Sequence, residues 1–573
     1  MAEDPTTPPP GEPDPAPQLR RASSLIAAGI ALSRLSGLLR DAALAFFLGA
    51  NVGADAFRAA LKIPNLLQNL LGEGVLSASF IPTYARLLEE GREEDAGRVA
   101  GAVLGLLSVL VGVLVVAGVL LAEPLVRLIT PGFVGERLEL TTTLVRIMFP
   151  GMGLLVLSAW CLGVLNAHRR FFLSYVAPVV WNLAILVSLF TLAGMAVLPP
   201  AVAAAWGVVL GGALQVAVQV PTVRRVLAGS LKPSLDRHHP GVRTVLTAFV
   251  PIVLGRGVVQ LSALVELAVA SLLAVGAVAV LGYAQTFYLL PIALFGMSVA
   301  AAELPSLATQ GRGDRGALTA RLDTGLARSA FFVTGVTVGY LLVGDDLVAV
   351  LFGRGAFDAA TTFQVALVLG VYSLGLLPAT ASRLLQSLLY AVDDARTPAV
   401  VAVVRVAVVL AVAVPLMFSL DQVVVDLAEP ARFRLAEGGR IPSFRPPDAT
   451  LRALTENQLR LGAVGLAAGS MVGSWVEYVL LRWRVGRLEV RPRLGGGTLL
   501  RLLVGAGAAL LVSPISLLLV DGGSPALLRL VVVGTGAGVV YVAVTWALRV
   551  PEAVHLLATV GVRRGARRSP PTG

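Results

Sequence analysis

The residues best suited to chemistry are charged side chains that interrupt long apolar stretches of the chain. Arg34, Arg40 and Asp41 lie in one such stretch, which begins near Ala22 and holds two arginines for one aspartate. On a helix, at about 100° per residue, Arg34 and Asp41 share nearly the same face, while Arg40 points about a third of a turn away. Surplus guanidinium groups in a hydrated cavity suit an anion such as a phosphate. We therefore predict that Arg34 and Arg40 bind an anion.

A second group of charges follows in the next apolar stretch. Asp55, Arg58 and Lys62 precede Pro64, and Glu73 follows it. Asp55 and Lys62 share one helix face, with Arg58 between them. Because Asp55 and Arg58 are close to a loop, an ion pair or a side chain that reaches the membrane interface explains them at least as well as function does.

Single charges also interrupt later apolar stretches. Arg256 stands between two glycines, which could allow close approach of another backbone. Glu266 could take part in ion coupling. One isolated charge in a membrane helix is more often half of a structural ion pair than a ligand for substrate, so both interpretations stay open. The remaining charges of this kind are Arg146, Glu303, Arg383, Arg405 and Glu477.

The composition indicates what must position these residues. Of 573 residues, 56% are hydrophobic and 14% are charged, whereas a soluble domain carries about 25% charged residues. Blocks such as 103–121 and 499–520 are long enough to cross a hydrocarbon core about 30 Å thick as a helix. They lack the short alternating pattern of β-barrel strands. We predict an all-α polytopic membrane protein.

Fourteen transmembrane helices are predicted from these blocks. Pro64 and Pro291 fall inside two of the longest, where a proline frees a carbonyl group and can bend or break a helix. The predicted spans are residues 22–48, 54–88, 98–121, 138–165, 172–196, 200–222, 243–274, 276–308, 325–344, 362–390, 398–419, 458–482, 498–520 and 526–548.

Basic loops alternate with neutral or acidic loops along this series. Cytoplasmic loops of membrane proteins are rich in Lys and Arg, and an even number of spans returns both termini to one side, so both termini are predicted to be cytoplasmic. The same pattern accounts for the net charge of +11 without nucleic acid as a partner. The basic segments are 20–21, 168–170, 224–243, 312–328, 482–493 and 563–568.

Several kinds of site are not expected from this sequence. Cys161 is the only cysteine, which excludes an intrachain disulfide and a cysteine-based metal site, and the four histidines lack metal-ligand spacing. There is no phosphate-binding Gly-x-x-x-x-Gly-Lys-Ser/Thr motif and no convergent nucleophile and base. We expect no enzyme activity and no cofactor. Transport would draw on the membrane potential, on a gradient of Na⁺ or H⁺, or on the gradient of the substrate.

Two polar segments lie outside the spans. Residues 1–21 are rich in proline and acidic residues, cannot bury a core and are predicted to be disordered. Residues 420–457 form a long loop with prolines and charges of both signs, and they are predicted to face outward. This loop is either a small lid or a disordered insert.

A set of short motifs occurs in a fixed order along the apolar region. The motifs are Ser33–Asp41, Phe47–Ala50, Ala54–Phe57, Lys62–Leu67, Gly72–Gly74, Phe80–Pro82, Arg146–Pro150, Leu304–Leu307 and Gly353–Phe357. Together they resemble the MurJ (MviN) family of lipid II flippases, which belongs to the MOP exporter superfamily. The resemblance runs from about residue 22 to residue 548, and the first motif is the most specific.

The resemblance implies two bundles of six helices, two further C-terminal helices and a central cationic cavity that opens alternately to each side of the bacterial cytoplasmic (inner) membrane. It implies lipid II, the undecaprenyl-pyrophosphate-linked disaccharide-pentapeptide of peptidoglycan synthesis, as the substrate. Arg34 and Arg40 match cavity arginines, and Asp55, Lys62 and Glu73 match charged positions of the second helix. The implied segments are 1–21, 22–222 (first bundle), 223–242 (linker), 243–482 (second bundle), 483–548 (extra helices) and 549–573 (basic tail).

Two departures from the family pattern concern the cationic residues. The family often has arginine where this chain has Gln68, and its Tyr-Ala-Asp-Arg pattern becomes Tyr283-Ala284-Gln285-Thr286. Arg256 could restore the charge that is missing at Thr286. Two alternatives therefore stay open: an exporter of another lipid-linked glycan, and a scaffold that does not transport but recruits cell-wall enzymes. In either case we expect the protein to lie in the lipid bilayer as a monomer.

Overall fold

Helices dominate the chain, and the all-α prediction is confirmed. The computed structural model describes residues 15–227, 229–297, 315–392, 394, 396–426, 432–435, 441–446, 459–487, 496–518 and 523–559. The helices are α1 (Pro15–Leu48), α2 (Val52–Leu71), α3 (Glu73–Ser79), α4 (Ile81–Glu89), α5 (Glu93–Leu120), α6 (Ala122–Ile129), α7 (Glu136–Ala167), α8 (Phe171–Ser188), α9 (Pro200–Leu227), α10 (Pro240–Ser271), α11 (Ala277–Pro291), α12 (Arg315–Phe352), α13 (Ala359–Ser373), α14 (Leu376–Ala391), α15 (Arg396–Leu420), α16 (Gly462–Gly486), α17 (Gly496–Leu518), α18 (Ala526–Ala547) and α19 (Pro551–Thr559).

The number of spans is consistent with the prediction. Within the described ranges, ten helices are long and apolar enough to cross a membrane, or eleven if the pair α13–α14 is one bent span. Each of the fourteen predicted spans overlaps at least one helix of the structure. The count of fourteen itself stays a prediction.

The second predicted span is broken, but not at its proline. Pro64 lies inside α2, and the helix ends instead at Gly72, whose backbone is extended (φ −85°, ψ −151°). A Cβ atom at this position would collide with the carbonyl oxygen of Gln68, so the sharp exit from α2 requires glycine. The chain then continues as the short helices α3 and α4.

Three other predicted spans are also irregular. The helix α11 ends at Pro291 and continues as a π-helix over Ile292–Met297, as the position of the proline led us to expect. The helix α12 contains one non-helical residue, Val343. The helices α13 and α14 meet at an angle of 48°. Residues 298–308 of the predicted eighth span lie outside the described residues.

Helix also extends into both predicted tails. The helix α1 begins at Pro15 rather than near Ala22, and its two prolines, Pro15 and Pro17, stand in the first turn, where no hydrogen bond from the backbone N–H is needed. It therefore includes residues 15–21 of the segment predicted to be disordered. The helix α19 lies in the predicted basic tail. Residues 1–14 and 560–573 lie outside the described residues.

The chain divides into two compact units. The first unit comprises α1 up to Ala43, residues 60–125, and residues 141–257. Its apolar core is built by α3, α4, α5 and α7, with Phe80, Tyr84 and Val99 almost completely buried. The helix α8 packs along α9 in the same unit.

The second unit comprises residues 44–59, 126–140 and 258 onward. Here α15 packs along α16, α17 packs along α18, and α12 contacts both α13 and α18. Buried leucines of α12, α14 and α16 form one apolar cluster, and aromatic residues of α12 and α18 form another.

Part of the polar loop 420–457 is ordered as a small sheet. Strand β1 (Val423–Asp426) pairs antiparallel with β2 (Arg432–Leu435) on one side and with β3 (Leu459–Arg460) on the other. Gln364 of α13 donates a hydrogen bond to the carbonyl oxygen of Arg460 at 2.6 Å, which ties the sheet to the helices of the second unit. Residues 427–431, 436–440 and 447–458 lie outside the described residues.

Candidate functional site

Arg40 is held in a polar cluster between α1 and α8 of the first unit. Its Nε and Nη2 atoms donate to Asp41 Oδ1 at 3.1 and 2.9 Å, and its Nη1 atom donates to Asn182 Oδ1 at 3.0 Å. The amide nitrogen of Asn182 donates to Ser36 Oγ at 2.9 Å, and that hydroxyl donates to the carbonyl oxygen of Ser33. This chain of hydrogen bonds fixes the guanidinium plane while 20% of the Arg40 side chain stays exposed.

A tryptophan on α8 completes the cluster. The Arg40 guanidinium carbon lies 5.3 Å from the centre of the Trp181 ring, within the range of a cation–π contact. Gly211 of α9 makes room for this ring, since a Cβ atom there would lie 2.7 Å from Trp181 Cδ1. Arg40 therefore has one carboxylate partner, one amide partner and one aromatic partner, and an anion can still approach it.

The structure places the other predicted residues of the first unit as follows. Arg34 is exposed on α1, almost two helical turns before Arg40, and Asp41 is buried. Lys62 and Gln68 are half-buried on α2, and Glu73 is exposed at the start of α3. Nothing in these positions tests whether they bind substrate, so their assignment stays a prediction.

Arg256 reaches the break after α2. Its guanidinium group lies directly against Gly74, where a Cβ atom would collide with it. The neighbouring Gly257 faces Leu70. Arg256 therefore brings its charge to the segment that follows Gln68, which is the first of the two positions where the family arginine is missing.

Asp55 belongs to the second unit and is completely buried. It accepts hydrogen bonds from the backbone N–H groups of Gly276 and Ala279 at 2.8 Å, at the N-terminus of α11, and from Arg137 Nη1 at 3.0 Å. Arg137 also donates to the carbonyl oxygens of Gly132 and Ser271. The carboxylate thus caps one helix and neutralises one buried arginine. An ion pair was one of the explanations that the sequence left open for Asp55.

Arg58 lies against α11 close to the second missing arginine. Its guanidinium carbon is 4.5 Å from the centre of the Tyr283 ring, and its side chain fills the space above Gly282. Thr286 stands one turn further along, where its hydroxyl donates to the carbonyl oxygen of Gly282. Among the described residues, Arg58 Nη2 is buried without a hydrogen-bond partner.

Glu266 lies in a polar group of the second unit. Its Oε1 atom accepts a hydrogen bond from Gln285 Nε2 at 3.2 Å and a long one from the Tyr372 hydroxyl at 3.5 Å. Both of these hydrogen-bond donors are neutral side chains. Its role in ion coupling stays a prediction.

The charges of α15 and α16 form a second polar group in the same unit. Glu477 is buried and accepts hydrogen bonds from Arg405 Nη1 at 3.0 Å and from Gln386 Nε2 at 2.8 Å. Arg383, on α14, is exposed and its Nη1 atom lies 3.5 Å from Gln386 Oε1. Arg405 therefore pairs with this buried carboxylate directly, and Arg383 is linked to it only through Gln386.

The sequence alone did not identify the partners of Arg40 and Asp55, which are Asn182 and Arg137. Asn182 stands in a block, with Ala177 and Pro178, that resembles the MurJ family, but the sequence gives it no role toward Arg40, and Arg137 follows a glutamate at a helix start. Their partners lie 142 and 82 residues away along the chain. As for metals, no group of three or more His, Cys, Asp or Glu side chains that could hold an ion occurs in the part of the chain that the structure describes.

Comparisons with known proteins agree with these features. The family model described as Lipid II flippase MurJ matches residues 44–432. Lipid II flippase MurJ of Burkholderia cenocepacia is 34% identical over 383 residues, which cover 65% of this chain and 73% of that protein. The probable lipid II flippase MurJ of Rhizobium tropici is 32% identical over 478 residues, which cover 82% of this chain and 87% of that protein.

Solved structures show the same fold. A lipid II flippase MurJ in an inward closed conformation superposes with a TM-score of 0.71 at 20% identity, covering 93% of this chain and 99% of that one. An inward-facing MATE family transporter of the MOP superfamily gives 0.58 at 17% identity, covering 80% of this chain and 95% of that one. The family model covers more than half of the chain, and on that ground this multi-pass membrane protein belongs to the MurJ family of lipid II flippases.

Proposed function

We propose that the protein carries lipid II from the cytoplasmic to the outer leaflet of the bacterial inner membrane by alternating access. The observation that carries the proposal, beside family membership, is the geometry of Arg40. Its guanidinium is fixed by Asp41 and Asn182, stacks near Trp181 and keeps one side open. A pyrophosphate is the part of the substrate that such a group would bind.

The two missing family arginines are compensated, in this proposal, by two neighbouring arginines. Arg256 provides charge beside the segment that follows Gln68, and Arg58 provides charge one turn before Thr286. This assignment differs from the expectation that Arg256 would replace the arginine at Thr286. The support is that Arg256 contacts Gly74 and that Arg58 contacts Gly282 and Tyr283.

The energy source follows from the charge of the arginines. A net positive binding site that moves relative to the membrane field would be reset by the membrane potential, at about 2.3 kcal/mol per charge and 100 mV. Glu266 is the carboxyl group through which H⁺ or Na⁺ could act. No covalent step and no cofactor enter this proposal, both termini are cytoplasmic, and the transporter acts as a monomer.

Complementation combined with a leaflet assay tests the proposal. Cells depleted of their own lipid II flippase are supplied with this chain, and lipid II in the outer leaflet is measured by extracellular enzymatic cleavage. We expect growth and cleavage with the unmodified chain and neither with Arg40→Ala at equal membrane abundance. Growth restored by Arg40→Ala would refute the role of the arginine.

The two alternatives give different results in the same cells. An exporter of another glycan would leave lipid II inside although the chain is abundant and folded. A scaffold would restore growth without increasing cleavage, only in cells that keep a second flippase. For the ion, Glu266→Gln should remove any dependence on an imposed H⁺ or Na⁺ gradient while dependence on the membrane potential persists.

A further inference from the structure

A groove runs between α15 and α16 near the start of the first helix and the end of the second. Its volume is about 420 Å³. All of its lining residues belong to the second unit. They are Asp394, Arg396, Thr397, Val400, Val401, Val404, Leu480, Trp483 and Arg484. The groove is therefore built from one basic mouth and one apolar trough.

The trough is apolar and open to the surroundings. Val400 is 53% exposed, Val404 is 39% exposed and Trp483 is 56% exposed. Apolar exposure is ordinary on a surface that faces lipid, so exposure by itself identifies no ligand. This surface differs because it is concave and because it ends at a cluster of charges.

The mouth carries more positive than negative charge. Arg484 Nε and Nη2 donate to Asp394 Oδ2 at 3.2 and 3.1 Å, and Asp394 also accepts from the Thr397 backbone N–H and hydroxyl. Arg396 is exposed, and Arg487 stacks on Trp483 at 3.7 Å from its ring centre. Asp394 is paired with Arg484, whereas Arg396 at the groove and Arg487 on the Trp483 ring add two positive charges that can attract an outside partner.

The position of the mouth agrees with a lipid headgroup. The basic segment 482–493 is predicted to be cytoplasmic, and the cytoplasmic leaflet of a membrane carries anionic lipids. Tryptophan is enriched at the depth where acyl chains meet headgroups, which is where a ring between a valine trough and arginines would lie.

We propose that this groove binds one anionic phospholipid, with its phosphodiester between Arg396 and Arg484 and one acyl chain along Val400, Val404 and Trp483. The charge surplus selects the headgroup, and the concave apolar wall distinguishes a lipid from a soluble phosphate. The proposal is independent of the transport of lipid II.

Quenching of tryptophan fluorescence by brominated lipids tests it. The full chain is reconstituted in vesicles with equal fractions of brominated phosphatidylglycerol or brominated phosphatidylcholine. The chain has six tryptophans, so the contribution of Trp483 is taken as the difference from the Trp483→Phe variant. We expect an apparent preference of about tenfold for phosphatidylglycerol at Trp483, the value of one charge-assisted hydrogen bond of about 1.5 kcal/mol.

The variant Arg396→Gln should reduce that preference to nearly one, because its side chain is exposed and its loss leaves the fold intact. The matched control is Arg243→Gln, an exposed arginine of the first unit that lies outside the groove. It removes the same charge and should leave the preference at Trp483 unchanged. Unfolding midpoints of both variants report whether folding is preserved.

Four results would overturn the proposal. Equal quenching by the two lipids would identify ordinary boundary lipid. An unchanged preference in Arg396→Gln would remove the basic mouth from recognition. Loss of the preference in millimolar inorganic phosphate would identify a site for soluble phosphate. Crosslinking of two chains through a cysteine placed at Val404 would identify the groove as an interface between copies.

Discussion

Two arginine–aspartate pairs, one in each unit, use the same chemistry for different ends. In the first unit Arg40 contacts Asp41 and Asn182, and its side chain is 20% exposed. In the second unit Arg137 contacts Asp55, and the two side chains are 6% and 0% exposed. One guanidinium can be reached by a ligand, whereas the other is enclosed by protein.

The difference lies in what the aspartate does besides pairing. Asp55 accepts hydrogen bonds from two backbone N–H groups at the start of α11 and from Arg137, so its removal would take the acceptor from both N–H groups and the carboxylate from Arg137. Asp41 neutralises and orients an arginine whose other contacts are an amide and an aromatic ring. A charged pair in a membrane helix is therefore a candidate for ligand binding only when part of the pair stays accessible and is not enclosed by hydrogen bonds to the protein.

The largest effect is expected from Asp55→Ala. Breaking a buried ion pair from one side costs about 3–5 kcal/mol, because the buried guanidinium of Arg137 loses its carboxylate. We expect the unfolding midpoint in detergent to fall sharply or the chain to be degraded in cells. Thermal unfolding of the purified protein measures this.

A double variant separates the pair from the rest of the fold. Asp55→Leu with Arg137→Met removes both charges and should recover part of the lost stability. Stability of Asp55→Ala equal to that of the unmodified chain would show that the pair does not stabilise the fold.

The second prediction concerns Arg40→Lys. A lysine keeps the charge but cannot bond Asp41 and Asn182 through a planar fork, so an anion would meet a misplaced group. Loss of one charge-assisted hydrogen bond of about 1.5–3 kcal/mol corresponds to about a tenfold to hundredfold loss of transport. The unfolding midpoint should change little, in contrast to Asp55→Ala.

Two further variants sharpen this result. Asn182→Leu, similar in volume, should lower transport less than Arg40→Lys because the bonds to Asp41 remain. Gly211→Ala should act through Trp181, whose ring would be displaced. A large drop in stability for Arg40→Lys would mean that Arg40 is a structural residue like Arg137.

The third prediction tests where positive charge is needed. Arg256→Gln and Arg58→Gln should each lower transport about tenfold, the value of one charge-assisted hydrogen bond. Adding Gln68→Arg should rescue the first variant, and adding Thr286→Arg should rescue the second. The matched controls are the crossed combinations, which should not rescue. Equal rescue by either new arginine would show that only total charge matters.

Much of the fold could be predicted because the length of an apolar segment can be read directly from the local sequence. Each predicted span overlaps a helix, and the transition at Pro291 follows from the missing N–H of proline. The break at Gly72 could not be predicted in this way, since it depends on a backbone that passes too close to Gln68 for a Cβ atom. Pro64, by contrast, is accommodated inside α2.

The candidate site could be predicted only in part, because its charges are local but their partners are not. Charge inside an apolar stretch predicted anion binding for Arg40 and left an ion pair open for Asp55, and the structure shows that Arg40 is partly exposed and Asp55 is enclosed. The distinction depends on Asn182 and Arg137, which come from distant segments. Arg256 illustrates the same limit. Its glycine neighbours suggested a close backbone approach, but among the described residues nothing lies within 4 Å of a Cβ atom built at Gly255, and the close contact is between the Arg256 guanidinium and Gly74.

The smallest effect on stability is expected from the titration of His168. This residue follows α7 in the first unit and contacts Tyr84. The Tyr84 hydroxyl lies 3.0 Å from His168 Nε2 and can donate to it while the ring is neutral. Burial lowers the pKa of His168 below its ordinary value of 6.5; nearby Glu93 opposes this shift and Arg170 adds to it. The folded state therefore binds the proton less readily than the unfolded state does.

The sign of the pH effect follows from that difference in pKa. A lowered folded pKa gives a contribution to stability that is complete above pH 6.5 and declines as the pH falls below it toward the folded pKa. We expect the unfolding midpoint to decrease slightly between pH 7.5 and 5.5, and the decrease to be smaller in His168→Gln, which keeps a polar partner for Tyr84 without titrating. Because the side chain is only partly buried, water screens the effect, and it should stay far below that of Asp55→Ala. An identical pH dependence in His168→Gln would assign the titration to another group.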